Sequence, residues 1–115
     1  MTEECLFCRI VTGDVPATIV ADNDHAVAFR DINPVAPTHV LVIPRSHHPD
    51  AAAVAAADPQ LLAAMVNLAH QVAESEGVAA DGYRLVANTG AAAHQTVFHA
   101  HLHVLGGRSM GWPPG

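Results

Sequence analysis

Residues 97–105 read VFHAHLHVL, an apolar run in which His99, His101 and His103 stand at every second position. Alternation bounded by glycine, Gly90 before and Gly106-Gly107 after, has the period of a β-strand, in which side chains i, i+2 and i+4 share a face. The three imidazoles therefore point one way and Ala100, Leu102 and Val104 the other. Neighbouring rings on that face start about 6.6 Å apart, from a rise of about 3.3 Å per residue. Three rings so spaced line a small anion or flank a metal, whereas an ordinary core has no use for them. The bland alternative is a half-buried polar face. Imidazole, with an unperturbed pKa of about 6.5, is also the side chain most easily set to accept or give a proton at neutral pH.

Four further strands are predicted around this run. Thr18–Ala21 and Ala26–Phe29 flank Asp22-Asn23-Asp24-His25, whose Asx residues suit a tight hairpin. Thr38–Ile43, THVLVI, is stopped by Pro44; Tyr83–Ala87 is the fourth strand and Phe98–Leu105 the fifth. A short helical turn is expected over Glu4–Val11, ended by Gly13 and Pro16. The longest helix begins at Pro59, with Asp58 as N-cap and proline at the first helical position. Its stripe is Leu61, Met65, Leu68 and Val72, at i, i+4, i+7 and i+11, and Gly77 ends it. The alanine-rich residues 51–57 combine high helix propensity with little bulk and stay unassigned. The order β-β-β-α-β-β with hairpin-length links predicts an α+β fold in one domain, 1–115. It is an antiparallel five-stranded sheet covered on one face by one long helix, with a short N-terminal helix.

Half of the 115 residues are hydrophobic, enough for a core without disulfides. The formal charge is −6 and the five basic residues are dispersed arginines, so no basic stripe marks a nucleic-acid or anionic-membrane surface. The first residues, MTEEC, are acidic, and no apolar run reaches the length of a signal core or a spanning helix; a cytoplasmic protein is expected. Cys5 and Cys8, in CLFC, are too few and too close for a disulfide framework. Their C-x2-C spacing is that of a zinc half-site. The other readings are two small buried cysteines and a thioredoxin-like pair, the latter weaker because no long helix follows.

A neutral imidazole nitrogen can attack phosphorus and later be displaced by water, splitting one hard step into two. His101, flanked on both sides, is best placed to do so. Its attacking nitrogen needs a lone pair, so the other nitrogen should donate to a fixed acceptor such as a carbonyl. His103, with His39 on the THVLVI strand, is then suited to bind phosphoryl oxygens or fix the rings. An amine expelled from phosphorus, whose ammonium has a pKa of about 10, must receive a proton during P–N cleavage. A relayed proton is worth roughly 100- to 10,000-fold. Thr96, Gln95 and Asn88 lie beside the strand, where ordinary loop hydrogen bonding is their other role.

HAHLHVL resembles the histidine-triad (HIT) signature of alternating histidines, and GGRSMGWPPG is similar to the C-terminus of its Hint-like branch, the nucleoside phosphoramidases. DINPVAPTHVLVIPRSH and GYRLVANTG match the other family blocks in order and spacing. The resemblance implies a HIT-like fold, a homodimer with the sheet continued across its two-fold axis, and P–N cleavage of purine nucleoside phosphoramidates, AMP- or GMP-amines, without a catalytic metal. It implies that His101 forms a nucleotidyl-histidine, supported by His99, His103 and His39. Asn88, Gln95 and Thr96 would contact the phosphate or leaving group, and Asp31 the ribose hydroxyls. Leu6, Phe7, Ile10, Phe29, Ile32 and Leu41 would sandwich the purine, and Trp112 would reach toward the partner's site. Relatives with paired cysteines imply a structural zinc on Cys5, Cys8, His47 and His99, with His48 as an alternative to His47. His94 departs from the pattern, standing where Hint relatives commonly have glycine. Two other readings use the same residues: a metalloenzyme with the alternating histidines as its metal site, and a nucleotide-binding regulator whose hydrolysis is incidental.

Overall fold

The computed structural model describes residues 5–115, so the first residue of the expected N-terminal turn, Glu4, lies outside the described residues. The fold is organised on β3 (Thr38–Pro44), which is buried along its whole length. A strand with β-branched residues on both faces needs a cover on each. Its neighbours are β2 (Ala26–Arg30) on one side and β5 (Leu102–Gly106) on the other. β1 (Ile19–Asp22) and β4 (Arg84–Val86) form the edges, giving the order β1-β2-β3-β5-β4. Every pairing is antiparallel, as the α+β reading expects.

On one face, Ala26, Ala28, Val40, Val42, Leu102 and Val104 pack against α3 (Pro59–Ser75), through its Leu61, Met65, Leu68 and Val72 stripe. The Asp58 side chain accepts from the Leu61 N–H at 3.3 Å, capping the helix where Pro59 removes one unpaired donor. The opposite face holds a smaller cluster of Phe7, Val27, Phe29, Leu41 and Ile43, against which α1 (Leu6–Thr12) lies through Phe7. From that smaller cluster the Phe7 ring meets His99 and His101 edge-on.

Three features differ from the sequence expectation. The alanine run forms a helix, α2 (Ala51–Ala57), because Asp50 caps it, accepting from the Ala53 N–H at 2.8 Å, and Val54 is fully buried. The sheet therefore carries three helices. The histidine run enters the ladder only at Leu102, since the Ala100 N–H donates to the His48 carbonyl at 2.7 Å and holds residues 98–101 to the turn after β3. The link from β4 to β5 is not hairpin-length either: it is a long loop with a single 3-10 turn over Ala91–Ala93. No described helix is long and apolar enough to cross a membrane.

Candidate active site and metal centre

The register pairs Leu41 with His103 and His39 with Leu105, so His39 and His103 rise on the same face as diagonal neighbours. His39 Nε2 lies 2.9 Å from His103 Nδ1. The backbone decides who donates. The Val35 N–H points at His39 Nδ1 over 3.1 Å, so that nitrogen carries a lone pair and the ring's one hydrogen sits on Nε2. His39 therefore donates to His103 Nδ1, which leaves the hydrogen of His103 on its Nε2. Asp31 Oδ2 stands 3.5 Å from His39 Nε2, while Oδ1 accepts from the Asn33 N–H at 2.7 Å. Burial holds His39 below the usual imidazole range despite Asp31. Burial foremost, then the neighbouring His101 and His39, push His103 down to about 4. Both rings are neutral at physiological pH.

His101 is buried, and its Nδ1 lies 2.8 Å from the His99 carbonyl oxygen. A carbonyl only accepts, so Nδ1 carries the hydrogen and Nε2 keeps a lone pair. The ring stands edge-on to Phe7 at 5.1 Å between centroids and 5.0 Å from the ring of His103. The three imidazoles thus gather on one side although the regular strand stops short of two of them.

His99 is fully buried and has the reverse arrangement. Its Nε2 donates to the Pro44 carbonyl at 2.9 Å, which leaves the lone pair on Nδ1. That lone pair faces Cys5 Sγ at 3.4 Å, Cys8 Sγ at 3.4 Å and His47 Nδ1 at 3.2 Å; Cys8 Sγ is 3.3 Å from His47 Nδ1. A tetrahedral zinc with bonds of about 2.3 Å to sulfur and about 2.05 Å to nitrogen has edges of about 3.3 Å (N–N) and about 3.5 Å (N–S). The donor set fits that shell in type, number and size. Cys5 and Cys8 meet because they sit one turn apart at the start of α1, where Cys5 is also the N-cap, accepting from the Cys8 N–H at 3.4 Å. Burial, and then the Cys5 thiol, push Cys8 up to about 11, so a cation is what would draw its proton off. Burial likewise pushes His99 down to about 4. His48, the alternative ligand, is turned away onto Ser46 Oγ at 3.0 Å; His47 is the histidine in the cluster.

The remaining expected residues fall in two groups. Phe7, Phe29 and Leu41 are buried together with Ile10 against them, beside His101. Leu6 and Ile32 are open to solvent, Ile32 at 91% exposure, as is Trp112 at 84%. Asn88 is half-buried and Thr96 exposed. Gln95 is buried and ties the loop together: Nε2 donates to the Pro49 and Val97 carbonyls, and Oε1 accepts from the Gly90 N–H. Both its amide hydrogens are committed to backbone carbonyls. His94 has φ 66°, the left-handed region that glycine occupies without cost. The sequence did not disclose the backbone groups of Val35, Pro44 and His99, which choose the tautomers; no side-chain motif marks them.

A family model for the HIT domain matches residues 12–110. The chain is 46% identical over 111 residues to the purine nucleoside phosphoramidase of Escherichia coli K12, covering 96% of this chain and 93% of that protein. It is 42% identical over 112 residues to the 14 kDa zinc-binding protein of Zea mays, covering 96% and 87%. Among solved structures, a HIT family hydrolase from Legionella pneumophila superposes with a TM-score of 0.92 at 49% identity, over 96% of this chain and 99% of that one.

Proposed function

Because the chain belongs to the HIT domain family, we propose that it hydrolyses purine nucleoside phosphoramidates through a nucleotidyl intermediate on His101. Similarity to the E. coli phosphoramidase over nearly the whole of both chains supports the substrate class. The observation that carries the mechanism is the 2.8 Å approach of His101 Nδ1 to the His99 carbonyl, which keeps the lone pair on Nε2.

Nε2 attacks phosphorus; the Nε2–P bond forms as the P–N bond breaks, and the amine departs after taking a proton. Water then attacks the same phosphorus, releasing the nucleoside monophosphate and restoring His101. His103, whose Nε2–H is fixed by the donor His39, serves the phosphoryl oxygens without adding a charge. Thr96 and Asn88, on the accessible side of the loop, serve the leaving group and its proton. Asp31 holds the ribose hydroxyls, and Phe7, Phe29, Leu41 and Ile10, with Leu6 and Ile32 at the rim, hold the purine. Cys5, Cys8, His47 and His99 hold one zinc ion. Four protein ligands leave no open position, so the ion supplies cross-linking and no chemistry on the substrate. Thiol ligands suit a reducing compartment, the cytoplasm. Two copies form a dimer in which the exposed Trp112 reaches the partner's site.

The test is rapid-quench mass spectrometry after mixing with an adenosine phosphoramidate. An adenylyl adduct on His101 is expected. Binding without any adduct at the shortest times would leave the nucleotide-binding regulator as the better reading.

A further inference from the structure

We propose that the metal centre is a positioning device for the nucleophile: zinc occupancy sets the orientation and tautomer of His101 through His99. This rests on His101 being the nucleophile, as above.

His99 belongs to both sites at once. Its ring offers Nδ1 to the thiols and His47, while its carbonyl accepts the Nδ1–H of His101. Among the described residues, that carbonyl is the only hydrogen-bond partner of the His101 ring. The sheet does not hold it in place, since the ladder begins at Leu102. What holds residues 99 and 100 is the end of β3 and the turn after it, through Pro44 O to the His99 ring and His48 O to Ala100 N. The same turn carries His47.

A second path runs through Phe7, which lies between the two cysteines in sequence. Its ring meets His99 edge-on at 6.0 Å and His101 edge-on at 5.1 Å. A metal that clamps Cys5 and Cys8 therefore also fixes the aromatic wall against the nucleophile.

Removing the ion leaves the buried Nδ1 lone pair of His99 among partners that include a second imidazole 3.2 Å away. Its donors are then two weak S–H groups and, where the exposed His47 ring carries its hydrogen on Nδ1, that imidazole, and nothing cross-links them. The His99 ring and α1 gain freedom to move. Either movement displaces the carbonyl that selects the Nδ1–H tautomer of His101, and the population with its lone pair on Nε2 falls. Partners of this kind are worth roughly 10- to 100-fold in activity.

The experiment compares the full chain loaded with zinc, freed of metal by chelation, and carrying His47→Ala, which deletes an exposed ligand and leaves the two cysteines and the buried His99. Two-bond proton–nitrogen NMR reads the His101 tautomer, circular dichroism the fold, and steady-state kinetics separates kcat from KM. The zinc-loaded protein should show His101 in one tautomer with hydrogen on Nδ1. The metal-free protein and the variant should show a mixture, a kcat lower by about 10- to 100-fold and a KM little changed. Zinc should restore the first and not the second. A metal-free chain that is folded, keeps a single His101 tautomer and keeps its kcat overturns the proposal.

If chelation unfolds the chain, zinc- and cadmium-loaded protein are compared. The larger ion should shift the His101 nitrogen signals, and identical signals overturn the coupling. If zinc-loaded protein forms no adduct on His101, it is the catalytic reading that fails. The tautomer comparison then decides the coupling by itself.

Discussion

Two histidine clusters lie on one face of the sheet, and proximity does not distinguish them. Cys5, Cys8, His47 and His99 bring their donor atoms within 4.8 Å of one another, and so do Asp31, His39 and His103. The hydrogens do distinguish them. His99 is given a backbone carbonyl, Pro44 O, so its lone pair is turned inward to the thiols. His39 is given a backbone N–H, from Val35, so its hydrogen is turned inward to His103. A cation on His39 Nε2 would oblige Nδ1 to carry a hydrogen facing the Val35 N–H. One cluster is therefore built for a metal and the other for a chain of neutral donors, although imidazole is common to both. A single backbone partner, and not the count of ligands, makes the difference.

The comparison can be broken at its ends. The largest effect is expected between the clusters, at His101. His101→Ala should lower the turnover of an adenosine phosphoramidate on the order of 10^4- to 10^6-fold, as for other single nucleophiles, and abolish the adduct. Wild-type turnover in the variant would remove the nucleophile from the scheme. Metal analysis then separates the two sides. Cys8→Ser should lose zinc and be less stable to heat. His39→Ala should retain one zinc per chain, with a kcat lower by about 10- to 100-fold because His103 loses the donor that orders it. Zinc lost with His39 and kept without Cys8 would reverse the assignment of the clusters.

The fold was legible where one residue type decides the outcome. Asp58-Pro59 announces the start of α3, and the Leu61, Met65, Leu68 and Val72 stripe announces what it covers. THVLVI reads as a strand, and β3 is one, extended by Pro44. The alternation of histidines correctly placed three rings on one side, yet over-read the strand. Period 2 reports the facing of side chains and not the presence of a partner, and here the backbone at Ala100 pairs with His48 outside the ladder. The alanine run was opaque because a single buried valine and a cap stabilise α2, neither of which propensity weighs. Residue types for the site could be collected from motifs. The roles of His39 and His99 could not, because these depend on Pro44 and Val35, and a carbonyl or an N–H is present at nearly every position of any sequence.

The smallest expected effect concerns protons in the neutral chain. Burial foremost, with His101 and His39 adding to it, brings His103 to about 4 in the folded protein, and His39 is lowered for the same leading reason. The unfolded chain titrates these rings at about 6.5. Between those values the unfolded state binds more protons than the folded one, so stability is full above about pH 6.5 and falls as the pH is lowered toward 4. For His103 the loss is on the order of 1–3 kcal/mol across that window. Acid also strips protons' competitors from the zinc ligands, which would steepen the fall in any single protein. The difference between wild type and His103→Gln in urea unfolding at each pH isolates the ring, since both retain Cys5, Cys8, His47 and His99. That difference should shift by the stated amount in favour of the variant as the pH drops from 7 to 4. A difference independent of pH would mean that His103 takes up its proton in the folded chain as readily as in the unfolded one. The chain running from Val35 through His39 would then end on a ring that nothing holds neutral, and the contrast between the two clusters would no longer hold.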